Sequence, residues 1–454
     1  MWLAYAVGYL EKDGHEVDLV DAPAAGMEFE QLAERAERFE PRMAVLDTST
    51  PSIYSDIDVA RRLKERIPGL FTVLVGVHVS ALPEDTLSVA EGVDVVAVGE
   101  YDETVRDLAG RLESRGEKID LSEVRGIAFR GRGGKITVTK SRDFLTDLDE
   151  IPYVSSVYRK HLDINPYFYG HSRHPLIVLV TGRGCPFHCT YCVVPQTLMG
   201  HRYRKRSVEN IIGEFKYIKE NFPHVREIMI EDDTLTADRK RCREFAEGLI
   251  RENLTSIPWS ANSRADVDYE TMRVMRKAGC RLFCVGFESG DQRILDNIKK
   301  NMKIERIYQF MRDAKKAKIM IHGCFMVGNP GEGHETLRKT LSFAKQLNPD
   351  TAQFYPIMVY PGTEAYAHFE EQGAIVSHNF RDWLDAEGLH SSVVSHPSLS
   401  YDELVSFCDQ ARRAFYLRPV YIASKLVQIV RMPGEAKRIF KAFGTFYKYL
   451  LHRR

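Results

Sequence analysis

The sequence lacks an excess of charge of either sign: 63 Lys and Arg stand against 63 Asp and Glu, a formal net charge of zero. A general nucleic-acid binder carries a basic surplus, so none is expected here, although a local patch is compatible with a neutral total. Also missing are a secretory leader and any apolar run of membrane-spanning length. A cytoplasmic location is therefore expected, with the inner face of the membrane as an option. The eight cysteines do not follow the spacing of a secreted disulfide framework. Five are scattered, at Cys242, Cys280, Cys284, Cys324 and Cys408. Cys280 and Cys284 sit in an apolar run and read as buried small side chains rather than ligands of a second cluster.

The other three cysteines are gathered. Cys185, Cys189 and Cys192 follow the apolar run Ile177 to Val180, with C-x3-C-x2-C spacing. Clustered thiols in a chain without secretory features favour a metal site. Residue type alone leaves iron–sulfur, zinc and copper open. The preceding run reads as a strand, and Gly182 and Gly184 allow its end to turn tightly. A closed structural zinc site wants four ligands, with a second pair further on.

The spacing, with Tyr191 just before the last cysteine, resembles the cluster motif of the radical S-adenosylmethionine (SAM) superfamily. That resemblance implies a [4Fe-4S] cluster on Cys185, Cys189 and Cys192, with one iron left open for SAM. It also implies reductive cleavage of SAM to a 5'-deoxyadenosyl radical, and an electron donor such as flavodoxin or ferredoxin.

At 454 residues the chain has room for two or three domains. Residues 1–110 alternate short apolar strands, at Glu16 to Val20, Met43 to Asp47, Phe71 to Val75 and Val93 to Val98, with amphipathic helices. This pattern predicts a doubly wound, Rossmann-like α/β domain. Ligands of such sheets sit beyond the C-terminal strand ends. The candidate rim therefore includes Thr48 and Ser49, Gly76 and His78, and Gly99 and Glu100. The layout resembles the cobalamin-binding domain ahead of many radical SAM domains, read as truncated at its first strand. The resemblance admits cobalamin as a cofactor; the other reading is a retained scaffold, with His78 a structural loop residue.

Residues 111–176 read as a hairpin around Gly131 to Gly134, then a linker, then a Tyr-, Phe- and His-rich stretch from His161 to His174 that covers one end of the next domain. From 177 to 370, six strand-like runs alternate with helical ones, at Ile177, Glu227, Ile257, Leu282, Met320 and Ala352. Six are too few for an eight-stranded barrel and match the partial (β/α)6 barrel of radical SAM enzymes. Active groups belong at the C-terminal strand ends. The resemblance assigns SAM contacts there to Glu231, Asp232, Arg264, Glu288, Gly328 and Pro330. Arg264 offers a multidentate donor face to a carboxylate, and Glu288 can accept from hydroxyls or an ammonium.

After the cysteines, His201, Arg202, Arg204, Lys205 and Arg206 read either as an anion site or as a solvated face. The wording here is similar to hopanoid-biosynthesis members of the family that form a cyclitol ether. Residues 371–454 read as helices, at Leu399 to Leu417, Val420 to Val430 and Gly434 to Leu451. Residues 421–454 carry eight Lys or Arg and one Glu among apolar residues, which suits either an anionic membrane surface or packing on the barrel. The expected activity is hydrogen abstraction from an unactivated carbon of a lipid or lipid-linked sugar, followed by rearrangement or C–C bond formation. A cobalamin-dependent C-methyltransferase is the alternative, and a non-catalytic corrin or metal carrier the third reading.

Overall fold

Val73, Leu74, Val75, Val95, Val96 and Ala97 are all fully buried, apolar on both alternations, as in a sheet covered on each face. In the computed structural model they form the centre of a five-stranded sheet. Its strands are β1 (Met43–Thr48), β2 (Phe71–Gly76), β3 (Val95–Ala97), β4 (Ile127–Arg130) and β5 (Ile136–Val138), in that spatial order. The first three are parallel; β4 and β5 are antiparallel additions, so the expected hairpin widens this sheet. Val73, Val75, Val95 and Ala97 pack with Ala6, Leu10 and Leu108 on one face, and Leu74 and Val96 with Ile53, Ile57 and Leu87 on the other.

The structure describes residues 1–115, 119–384, 391–396, 398–431, 433–436, 439–441 and 443–444. They fall into two compact units that do not follow the linear division at 110, 176 and 370. The first joins Met1–Asp163 to Thr181–Tyr217 and Met358–Ser395, so the cysteine loop belongs with the front sheet. Within it, β7 (Gly182–Arg183) pairs with β8 (Arg204–Lys205), closing the base of that loop. The strand expected at Glu16 to Val20 is absent. One backbone group there, Leu19 N–H, turns to the His161 ring, and the Asp18 carboxylate pairs with Arg35.

The second unit holds β6 (Leu176–Leu179) and β9 to β13, at Glu227–Ile230, Trp259–Ser263, Cys280–Glu288, Met320–Val327 and Thr351–Pro356. All pair in parallel, in the order β13-β12-β11-β10-β9-β6, with helices between them. This is the open six-stranded α/β sheet expected. Phe287 meets Phe310 on a covering helix and Phe354 meets Phe415, so the alternate residues of β11 and β13 point to the opposite, inner face. Helices Tyr401–Tyr416 and Pro419–Arg431 pack on this unit, where Tyr416 and Tyr421 donate to the carbonyls of Ala352 and Asp350. Glu435, fully buried, pairs with Arg173 and Arg281, and Arg281 also grips Glu227. The helix expected from Gly434 to Leu451 lies outside the described residues beyond 444.

Candidate active site

The cysteine loop is shaped before any metal arrives. Gly184 has φ of 83°, and an added Cβ there would collide with the carbonyls of Met199, Gly200 and Arg202. The Gln196 amide donates to the carbonyls of Cys189, Thr190 and Cys192 at 2.9 to 3.3 Å, and its oxygen accepts from Glu364 N–H. His201 Nδ1 faces the carbonyls of Cys185 and Phe187, which makes it the donor, and its ring stacks on His188 at 4.1 Å. Cys189 is buried; Cys185 and Cys192 are half-exposed. Among the described residues, the group of ligands gathered within 4.8 Å is a different one, so these three sulfurs do not surround a single ion. A cubane, bound by one thiolate per iron, wants that wider spread. The loop fits an iron–sulfur cluster better than scavenged zinc.

Behind the loop lies a buried ion network. Arg183, 1% exposed, donates to Glu100 at 2.7 Å and to both oxygens of Asp102 at 2.7 and 3.2 Å. Arg204 takes the other Glu100 oxygen at 2.7 Å and the carbonyls of Leu145 and Met199. Burial works against the charge of Arg183, but Asp102 and Glu100 outweigh it and hold its pKa above the ordinary value. Arg206 is likewise buried on Glu214. The basic run is thus largely consumed internally; neither a solvated face nor an anion site describes Arg204 and Arg206. Glu100, expected on the cofactor rim, has both oxygens engaged by arginines and belongs to this network.

On the rest of that rim, Gly76 (φ 118°) lies against Thr48, where a Cβ would press on the Thr48 carbonyl. Thr48 itself is buried and donates to Val75 O. Ser80 ties the loops after β2 and β3, donating to Gly76 O and accepting from Gly99 N–H. Ser49 is exposed, and nothing lies within 4 Å of a Cβ built on Gly99. A closed backbone floor with open space at Ser49 and Gly99 fits a broad, flat cofactor resting on the strand ends. His78 is 3% exposed. It is buried against Thr50 at 3.2 Å and edge-on to Phe380, and burial pushes its pKa down to about 4.

In the second unit the expected residues sit at C-terminal strand ends. Glu231 follows β9; burial pushes its pKa up while Asn262, 3.2 Å away, opposes the shift. Asn262 also donates to the Asp232 carbonyl, and Asp232 is fully buried. Arg264, after β10, donates to the carbonyls of Lys300 and Asn301 at 2.6 and 3.1 Å. Glu288 ends β11 with φ of 61° and pairs with Lys300 at 2.8 Å; Tyr355 donates to its second oxygen at 3.4 Å. Gly328 and Pro330 form the turn after β12. There Glu332 accepts from the N–H groups of Gly328 and Asn329, and His396 donates to Gly328 O. Lys300, Asn262 and Tyr355 were not singled out from sequence. Lys300 stands in an unremarkable basic turn, and only folding reveals its partner.

The profile of the radical SAM superfamily matches residues 179–344, and that of the B12 binding domain residues 1–109. The chain is a radical SAM enzyme with a B12-binding domain. Its cofactor system is accordingly a [4Fe-4S] cluster with SAM, together with cobalamin. It is 29% identical over 419 residues to an uncharacterized methyltransferase of Pyrococcus horikoshii, covering 92% of this chain and 87% of that one. It is 28% identical over 369 residues to the anaerobic magnesium-protoporphyrin IX monomethyl ester cyclase of Rubrivivax gelatinosus, covering 80% of this chain and 65% of that one. The radical SAM methyltransferase TsrM of Kitasatospora setae, solved with cobalamin and a [4Fe-4S] cluster, shares the fold at a TM-score of 0.72 with 14% identity, covering 92% and 86% of the two chains. The likeness to cyclitol-ether-forming hopanoid enzymes is not supported. The hopanoid C-3 methylase of Methylococcus capsulatus matches at 25% identity over 364 residues, 79% of this chain and 66% of that one.

Proposed function

We propose that this enzyme is a cobalamin-dependent radical SAM C-methyltransferase. This reverses the order expected from sequence, where rearrangement of a lipid or lipid-linked sugar came first. The observation that carries the reading is the Arg183–Glu100–Asp102–Arg204 network, which makes the cysteine loop and the B12-binding domain parts of one compact unit. The methyltransferases among its relatives support the same choice.

When bound, the cluster with SAM supplies an adenosyl radical, and methylcobalamin supplies a methyl group. The chain's own residues do the positioning. Cys185, Cys189 and Cys192 would hold the cluster, while Gln196 and His201 fix the carbonyls around them. Thr48, Ser49, Gly76 and Gly99 offer the corrin a backbone floor. Glu231, Asp232, Arg264 and Glu288 orient SAM, with Gly328 and Pro330 in the turn beside them, and the protein keeps the reacting carbon close while excluding water.

The test is anaerobic reconstitution with iron, sulfide and cobalamin, then incubation with SAM and a one-electron reductant such as dithionite, followed by mass spectrometry. Retained corrin with both 5'-deoxyadenosine and S-adenosylhomocysteine is expected. Deoxyadenosine alone, with no corrin retained, overturns the reading. A flavodoxin- or ferredoxin-type protein is proposed as electron donor.

A lipid surface as workplace is favoured by helix Pro419–Arg431, whose Val420, Leu426, Val427 and Val430 are exposed on one side. Among the described residues no helix is long and apolar enough to cross a membrane. Co-sedimentation with anionic but not zwitterionic vesicles is the expected result; equal recovery with both, or with neither, counts against it.

A further inference from the structure

Strands β11 and β12 run parallel, with Cys284 opposite His322 and Gly286 opposite Cys324. Phe283, Val285 and Phe287 are fully buried on the helix side, so Cys284 and its neighbours across the ladder point to the inner face. There the expectation for the two early cysteines divides. Cys280 is fully buried, as expected, but Cys284 is partly exposed and 4.0 Å from the sulfur of Cys324. The two sulfurs and a ring nitrogen of His322 all lie within 4.8 Å of one another. Thiolates about 2.3 Å from a tetrahedral zinc stand about 3.8 Å apart, so small side-chain adjustments close this set on one ion.

The imidazole is already aimed. His322 Nδ1 is 2.7 Å from the Thr351 hydroxyl, and the His171 ring stacks on it at 4.6 Å and 24°. A hydrogen bond at one ring nitrogen fixes the tautomer and orientation that a metal-bound histidine needs, and leaves Nε2 to ligate.

We propose that Cys284, Cys324 and His322 form a second metal site, separate from the cluster, that takes one soft divalent ion of the zinc type. Two thiolates and an imidazole favour such an ion over magnesium or calcium. A cubane needs its sulfurs spread over separate irons, whereas these are gathered about a point. Three protein ligands leave the fourth tetrahedral position open on the inner face, as in zinc sites that bind a ligand rather than purely structural ones. Uptake releases the two thiol protons to solvent, with no change of oxidation state. The inference does not depend on the methyl-transfer reading.

The experiment uses the full-length, cluster-loaded enzyme, equilibrated with zinc, freed of loose metal by a weak chelator, and analysed for zinc and iron. About one zinc per chain is expected in the wild type. Cys284→Ser and His322→Gln should lose it while iron content and far-ultraviolet dichroism stay unchanged. A second arm titrates cobalt(II) into the chain carrying Cys185→Ala, Cys189→Ala and Cys192→Ala, which removes the competing thiols. A thiolate-to-cobalt absorption band should still appear there. Wild type without zinc, zinc that survives both substitutions, or no band in the second arm overturns the proposal.

Discussion

Arg183 stands two residues before the first cluster cysteine, and its guanidinium binds Asp102 of the B12-binding domain through both carboxylate oxygens, at 2.7 and 3.2 Å. Both side chains are almost wholly buried. Asp102→Asn leaves two arginines sharing Glu100. Losing one partner of a buried pair costs about 3 kcal/mol or more. We expect a loss near that size in urea unfolding, with lower iron content after reconstitution. The Arg183→Met, Asp102→Leu double variant should recover part of the stability, because no buried charge is then left unpartnered. Unchanged iron and stability in Asp102→Asn would falsify the claim that this contact organises the loop.

Gln196 gives a second handle on the loop. Its amide serves three carbonyls between Cys189 and Cys192, so Gln196→Ala removes several bonds at about 1 kcal/mol each. A lower cluster yield and faster bleaching in air are expected. Gln196→Glu should be worse than alanine, since an ionised carboxylate can only accept and would face three carbonyl oxygens. Equal yields for the two variants speak against this.

Much of this was legible in the sequence because periodicity and spacing are local. Each of the six strands of the second unit lies where an apolar run ends in polar residues, and the cysteine spacing alone marks the cluster loop. The illegible parts are pairings between distant positions. Nothing local says that Glu100 will find Arg183 and Arg204, or that Cys284 will meet Cys324 across a ladder. Glu16 to Val20 alternates as a strand should, yet it pairs with no strand of the front sheet among the described residues, whose edge is β1. His78 reads from sequence either as a rim contact or as a structural loop residue, and its burial beside Phe380, about 300 residues away in sequence, is not visible locally.

Lys300 and Glu288 form a nearly buried pair at 2.8 Å, side chains 10% and 4% exposed. Lys300→Met therefore removes the charged partner of a nearly buried Glu288 carboxylate. Destabilisation of about 3–5 kcal/mol is expected in chemical denaturation. Adding Glu288→Gln to Lys300→Met should restore much of it. SAM affinity, followed by equilibrium dialysis, separates structure from binding: the double variant should be stable and still bind SAM more weakly than wild type. Full affinity in a stable double variant would remove Glu288 from the SAM site.

Glu332 carries a pH dependence whose sign follows from its surroundings. Its side chain accepts from Gly328 and Asn329 N–H through one oxygen, while the other, buried, has no hydrogen-bond partner among the described residues, and burial pushes its pKa from 4.5 to about 7. Between those values the folded protein holds a proton that the unfolded chain has released. Stability from this group is therefore fully present below about pH 4.5 and is lost as pH rises through about 7, by on the order of 3 kcal/mol at most. Glu332→Gln keeps an acceptor for the two N–H groups and places a donor where the second oxygen was. Urea unfolding from about pH 5 to 8 should show the wild type losing stability across that range while the variant stays flatter, the two diverging most at the alkaline end. Parallel curves for the two proteins would mean that Glu332 is ionised throughout, and that the two backbone donors outweigh its burial.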